Sequence, residues 1–284
     1  MGIKKINTKL ILTIVVAALG YFVDIYDLLL FNVVRLASLH AVGVTSADAM
    51  NTGILMINIQ LLGMILGGVF FGILADKKGR LSTLFGSILL YSVANILNAY
   101  VYDVYTYAAL RFIAGFGLAG ELGTGVTLLT EILPKDKRGY GVTIIGTIGM
   151  CGALLAWPIA EHFNWRNAYL IGGIMGFVLL ILRVSVMESP LYTQYSQMSV
   201  SKGNLALLFN TRERFLKFLA SVCLGIQPQF ILVILVVFSP EFCSSLNIAQ
   251  NVNAGKAIFY CYLGMIAGGL VCGSLSQMLK SRKK

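Results

Sequence analysis

Eight stretches of this chain are each long and apolar enough to cross a lipid bilayer as a helix, and that constrains the fold more than any other feature. Roughly 20 apolar residues span the hydrocarbon core. The blocks fall at about 10–36, 51–75, 81–100, 105–132, 140–161, 168–187, 214–239 and 256–279. Inside a membrane the backbone finds no water, so a spanning segment must satisfy its own N–H and C=O groups, and a helix does so. A membrane β-barrel would need short alternating segments, which the sequence lacks. The expected class is an all-α membrane protein, with the bilayer as its principal partner. Charged residues make up 12% of the chain, against about 25% in a soluble domain, so too little polar surface exists to solvate a globule of this size.

The basic residues explain the net charge of +10 without nucleic acid. With the N-terminus in the cytoplasm, the inner segments carry Lys4, Lys5, Lys9, Lys77, Lys78, Arg80, Lys135, Lys137, Arg138, Arg183, Lys202, Arg212, Arg214, Lys217, Lys280, Arg282, Lys283 and Lys284. The outer loops carry Arg166 and Lys256. Eighteen against two is the asymmetry that orients spans in a bacterial-type inner membrane, so both termini are expected in the cytoplasm. The N-terminus resembles a signal peptide, with lysines before an apolar run. No small-residue cleavage site follows, and Asp24 and Asp27 interrupt the run, so the segment reads as a retained first span. Cys151, Cys223, Cys243, Cys261 and Cys272 are scattered without CxxC or metal-ligand spacing, and read as small packing residues. No metal or cofactor is expected.

An internal repeat divides the chain. Residues 62–76 read LGMILGGVFFGILAD and residues 263–277 read LGMIAGGLVCGSLSQ, with eight of fifteen positions identical at a constant offset of 201. The matches include Gly63 with Gly264, Gly67 with Gly268, Gly68 with Gly269 and Gly72 with Gly273. Span 8 therefore repeats span 2, and the unit is six helices. Residues 1–187 form the expected first half, 188–213 a cytoplasmic linker, and 214–284 the first two helices of a second half. Parallel six-helix repeats are one plan of membrane transporters.

The loop after span 2 carries the strongest motif. Gly72-Ile-Leu-Ala-Asp76-Lys77-Lys78-Gly79-Arg80 resembles the G-x-L-A-D-x-x-G-R signature of the major facilitator superfamily. Physically, a glycine admits close helix approach, the carboxylate can cap a facing helix, and the arginine can pair across the bundle. The family implies that Asp76 faces the start of a helix beyond this chain. In the second copy Gln277 replaces the acid. Glu131-Ile-Leu-Pro-Lys-Asp-Lys-Arg138 resembles the E-x6-R pattern of sugar porters and metabolite–proton symporters, and Glu188-Ser-Pro190 resembles their E-S-P motif. The resemblance implies a cytoplasmic gate of Gly72, Asp76, Gly79, Arg80, Glu131, Arg138 and Glu188 whose ion pairs break when the cavity opens inward. It covers most of residues 20–192 and thins in span 7.

Acids inside the spans carry the chemistry. Asp24, Tyr26 and Asp27 lie in mid-span 1, and Glu121 lies near the middle of span 4 with Arg111 nearer its end. Asp24 and Asp27 are three apart, so both can point into one cavity. A charge at the bilayer centre costs roughly 2.5–3.5 kcal/mol on insertion scales, so three such acids are expected to serve proton transfer, or else to pair with Arg111 or Arg35 for structure. The Asp-x-Tyr-Asp pattern and the span 4 acid resemble phosphate and aromatic-acid proton symporters. Gln227 and Gln229 flank Pro228 and are expected at a break in span 7 that can line the cavity. Gly115-Phe-Gly117-Leu-Ala-Gly120 matches GxGxxG, yet lies inside an apolar span without the strand a dinucleotide site requires, so close helix packing explains it.

These features imply a major facilitator fold and proton-coupled symport of a small polar or anionic metabolite by alternating access. Ending two spans into its second copy, the chain has a truncated, transport-inactive remnant, or one part of a split carrier, as the alternative. An enzyme is not expected, because no nucleophile–base pair, histidine metal cluster or phosphate loop is present.

Overall fold

A computed structural model describes residues 8–133, 138–184, 203–247 and 252–278. Eight of the described segments are helical, long and apolar enough to cross a membrane. The first six helices are α1 (Thr8–Ala41), α2 (Ala49–Lys78), α3 (Arg80–Asn98), α4 (Val104–Ile132), α5 (Arg138–His162) and α6 (Trp165–Arg183). A short α7 (Ala206–Phe209) precedes α8 (Arg212–Phe230), which continues as a π-helix over Ile231–Val237. A short α9 (Ser239–Ser245) and the long α10 (Ala254–Met278) follow. The expected spans and the helices agree, except that α1 runs five residues further than the hydrophobic pattern and α6 begins earlier and closes at Arg183. Polar residues end an apolar run before they end the hydrogen-bond ladder, and that displaces the boundaries.

Local chemistry sets the turns. α2 passes into α3 through one residue, Gly79, whose φ of 101° suits only a residue without Cβ. Asp103 caps α4 by accepting from the Thr106 N–H at 2.8 Å, and those backbone hydrogen bonds hold its carboxyl below the usual carboxylate range. Asn164 and Thr211 cap α6 and α8 in the same way.

Glycines let the helices approach closely. On α2, a Cβ at Gly63 or Gly67 would run into the backbone of Phe112 or Phe116 on α4. From the α4 side, Gly115 meets the Gln60 carbonyl of α2, Gly117 meets Tyr91 of α3, and Gly120 meets the Phe71 ring. The GxGxxG run is thus helix-packing surface, as expected. Gly149 and Gly152 of α5 likewise sit against Tyr21 and the Phe22 carbonyl of α1. In the first six helices α1 packs on α4, α5 and α6, and α3 packs between α4 and α6. A core of Tyr26, Leu29, Leu30, Phe31, Tyr107, Trp165 and Tyr169 takes in Val237, Ile258 and Tyr262 from the later spans. α10 packs chiefly on α5, and α8 buries no residue.

The repeat in sequence does not extend to equal surroundings. Gly264, Gly268 and Gly269 have nothing within 4 Å, whereas Gly63 and Gly67 are pressed against α4. Gly72 meets nothing, whereas its counterpart Gly273 meets Thr143 of α5. The likeness of spans 2 and 8 in sequence therefore does not carry over to what surrounds their glycines. α10 docks on α5 with Phe259 against the Trp157 ring and Gly273 against Thr143, and among the described residues no helix stands to it as α4 stands to α2.

Span 7 also differs from expectation. Pro228 sits inside a continuing α8, and the departure from α-geometry comes after it, as the π-helix. The preceding turns supply alternative acceptors, with the Ile231 N–H reaching the carbonyls of Gln227 and Pro228.

Candidate functional site

Six acidic or basic side chains are buried within the described spans: Asp24, Asp27, Arg35, Arg111, Glu121 and Arg183. They form three groups, and α1 contributes to each.

The first group joins α1, α4 and α6. Arg183 donates from Nη2 to Glu121 Oε1, and both side chains are 2% exposed. Gly20 of α1 leaves the room, since a Cβ there would collide with both partners. Asp24 lines a small cavity with Glu121, Tyr21 and Ile145, near enough to feel the charges of Glu121 and Arg183. Both oxygens of Asp24, Oε2 of Glu121, and Nε and Nη1 of Arg183 have no hydrogen-bond partner among the described residues. The sequence reading placed Arg183 with the cytoplasmic loop charges, and that is corrected. It terminates an apolar run, which in sequence is indistinguishable from a positive-inside flank, and the helix turns it inward.

The second group lies one turn along α1. Asp27 points at α6, where a Cβ on Gly172 would strike its Oδ1, and Arg111 acts on its charge. Arg111 Nη1 donates to Tyr169 Oη at 3.0 Å. The Tyr169 and Tyr107 hydroxyls are 2.7 Å apart, and Tyr107 donates to Ser38 Oγ at 3.1 Å. Asn95, fully buried on α3, lies beside Asp27, and Asn98 is buried one turn further along the same helix. Tyr26, expected in the cavity, instead donates to the Ala168 carbonyl at 2.9 Å and ties α1 to α6. Asp24 and Asp27 both face α4 and α6, Asp24 beside Glu121 and Arg183 and Asp27 beside Arg111 and Gly172, and the two carboxyls lie near enough to act on each other.

The third group is Arg35 of α1 bonded to Glu241 of α9, with the guanidinium 4.4 Å from the centre of the Phe238 ring. Neither arginine considered as a structural partner for the acids takes that role directly: Arg35 bonds Glu241 and Arg111 bonds Tyr169.

At the basic end of the bundle, Arg80 reaches Glu131 of α4 through Nη2–Oε1 at 3.0 Å and Nε–Oε2 at 3.3 Å. Its Nη1 also reaches Asp76 Oδ1 at 2.7 Å. Asp76 thus bonds across the Gly79 turn and caps no helix among the described residues. Gly72 faces open space there. Of the remaining gate candidates, Glu188 and the side chain of Arg138 lie outside the described residues, as do most of the linker and the side chain of Gln277. Gln227 and Gln229 are exposed and touch none of the three groups.

Sequence reasoning missed Tyr107, Tyr169, Asn95, Asn98 and Glu241. Two asparagines three apart in an apolar span were a usable signal, because such residues need partners in lipid. The tyrosines gave none, since an aromatic in a span reads as packing. Among the described residues no group of three His, Cys, Asp or Glu could hold a metal.

A sequence profile of the Major Facilitator Superfamily matches residues 10–284. A Haemophilus influenzae protein, provisionally described as a metabolite transport protein, is 28% identical over 286 residues, covering 97% of this chain and 69% of its own length. The niacin transporter NiaP of Acinetobacter baylyi is 35% identical over 141 residues, covering 48% of this chain and 32% of that protein. This chain thus matches about a third of the niacin transporter's length. Among solved structures, the proton:xylose symporter XylE aligns with a TM-score of 0.69 at 20% identity, over 95% of this chain and 69% of that one. XylE is an Escherichia coli protein. At that identity the likeness shows the fold.

Proposed function

This chain belongs to the major facilitator superfamily as a multi-pass membrane protein, and from that premise we propose that it carries a small anionic metabolite together with a proton by alternating access. The observation that carries the reading is charge balance. Outside the Arg35–Glu241 pair, the buried interior of the first six helices holds three acids, Asp24, Asp27 and Glu121, against two arginines, Arg111 and Arg183. With all five ionised the interior keeps one uncompensated negative charge, which is costly in a low dielectric. One bound proton removes it. A site that is neutral with a proton and charged without one is what a proton-coupled carrier requires.

The roles follow from position. Asp24 and Glu121 share Arg183, and a proton can reside on either while the arginine serves the other. Asp27 faces Arg111, whose Nε and Nη2 carry no hydrogen bond among the described residues and offer donors to a substrate carboxylate. Aromatic monocarboxylates of the size of niacin are the first substrate class to test, because the Acinetobacter relative is named for niacin. Tyr26 acts as a tie that fixes α1. Gln227 and Gln229 join the cavity only if α8 turns. Asp76, Arg80 and Glu131, with Arg138 and Glu188, form the cytoplasmic gate. Residues 1–187 move as one half, 188–213 link, and 214–284 begin the second half. The protein sits in the inner membrane with both termini in the cytoplasm, and it performs no covalent chemistry.

The test is accumulation of labelled niacin in right-side-out membrane vesicles. An inward proton gradient should drive uptake above the diffusional level, and Asp27→Asn and Glu121→Gln should each lower it at least tenfold. Uptake indifferent to the gradient would refute proton coupling.

A further inference from the structure

Two opposite charges lie side by side in the interior and do not bond. Asp27 and Arg111 are both fully buried, and Arg111 is near enough to act on the Asp27 charge. Yet neither oxygen of Asp27, nor Nε and Nη2 of Arg111, has a hydrogen-bond partner among the described residues. Away from water, a carboxylate and a guanidinium free to move would close into a forked pair, the strongest contact either can make. Something in the fold must hold them apart.

The third nitrogen of Arg111 shows what does so. Nη1 donates to Tyr169 Oη at 3.0 Å. Further along, Ser38 Oγ donates to the Arg35 carbonyl at 3.1 Å, and Tyr107 donates to Ser38 at 3.1 Å. With the Tyr107 proton committed, the 2.7 Å contact between the two phenols is a bond from Tyr169 to Tyr107. The series therefore runs in one direction, from a group that can only donate to a group that can only accept. Each of its three hydroxyls accepts once and donates once, and all three are buried. None has a proton left for Asp27. Ring packing fixes the phenols: Tyr169 stands edge-on to Tyr107 and Trp165, with centres 6.1 and 6.2 Å apart. The guanidinium carbon lies 5.3 Å from the centre of the Tyr169 ring. The same helix seats the acid. Asp27 lies against Gly172, where a Cβ would strike it, and Gly172 is three residues beyond Tyr169 on one face of α6. At that level the Tyr26 bond to the Ala168 carbonyl, 2.9 Å, ties α1 to α6.

We propose that Tyr169, Tyr107 and Ser38 are positioning residues that hold Arg111 off Asp27 and so keep the guanidinium open to an anion. The inference rests on the carrier reading for what that anion is, but the separation of the two charges is testable without a substrate. Cutting the series frees Nη1 of Arg111. The guanidinium then turns onto Asp27, and the pair that forms occupies the donors a substrate carboxylate needs. Tyr169→Phe thus creates a bond between Arg111 and Asp27. A purely structural role for Tyr169 predicts instead a loss of stability with no new dependence on Asp27.

The experiment follows thermal unfolding of the full chain in detergent micelles, with Asp27→Asn introduced alone and together with Tyr169→Phe. While the series is intact, Asp27 has no bonded partner to lose, so Asp27→Asn should leave the midpoint unchanged or raise it. On the Tyr169→Phe background the same substitution breaks a buried pair from one side and should lower the midpoint by at least about 5 °C. If Tyr169→Phe yields no monodisperse protein, Tyr107→Phe cuts the series one link further out and should give the same change of sign. Equilibrium binding of labelled niacin is the second readout. Tyr169→Phe should weaken it at least about fivefold, and adding Asp27→Asn should restore it, because Arg111 then has no carboxylate to turn onto. Equal shifts of the midpoint in the two backgrounds overturn the proposal. So does weakened binding that Asp27→Asn fails to relieve. If the unsubstituted chain binds no niacin, the substrate reading falls alone, and the midpoints still decide whether the hydroxyl series restrains Arg111.

Discussion

At the scale of single residues, the interior is governed by which charges find partners. Arg183 and Glu121 are 2% exposed and bonded to each other, so removing one strands the other. Arg183→Gln should destabilise the protein by about 3–5 kcal/mol, the usual cost of breaking a buried pair from one side. Adding Glu121→Gln should recover most of the loss. Thermal unfolding in detergent micelles reads both, and a double variant no more stable than Arg183→Gln would contradict the pairing. The acids of this cluster were legible in sequence because Asp24, Asp27 and Glu121 each break an apolar run. Their partners were not. Arg183 looks like any basic flank until the helix direction is known, and Tyr107 and Tyr169 acquire a polar role only once their hydroxyls meet.

At the scale of helices, close approach is decided by where glycine faces. Gly67 and Gly268 occupy matched positions in the repeated segment, yet one is pressed on the Phe116 backbone and the other meets nothing. Gly67→Val should therefore separate α2 from α4, at about 1–3 kcal/mol or more for overpacking, and sharply reduce the yield of monodisperse protein. Gly268→Val in this chain should leave the yield unchanged. Equal losses would show that α10 has a close neighbour on that face. The repeat itself was legible as eight identities in one register. Its surroundings were not, because identical helix faces acquire environments only from what packs on them, and α10 turns Phe259 and Gly273 to α5 instead.

At the scale of the molecule, the spans, their order and the family signature were legible because lipid imposes length and apolarity directly on sequence. With Arg183 taken into the interior, the asymmetry of seventeen basic residues against two predicts that reporter fusions after Lys284 are active in the cytoplasm and those within 42–48 outside it; the reverse pattern would invert the topology. Which arginine stands beside which acid was not legible, since Asp24 and Asp27, three apart on α1, meet Arg183 and Arg111 on different turns of the same two helices. The whole account rests on an interior that holds one more acid than arginine and balances the excess with a proton. The most direct measurement reconstitutes the purified protein in liposomes loaded with a pH-sensitive dye, imposes no ion gradient, and adds niacin outside. Internal acidification that follows niacin entry, exceeds that of protein-free liposomes and is abolished by Asp27→Asn is the predicted result. Protein-dependent niacin entry without acidification beyond the protein-free control would contradict the account.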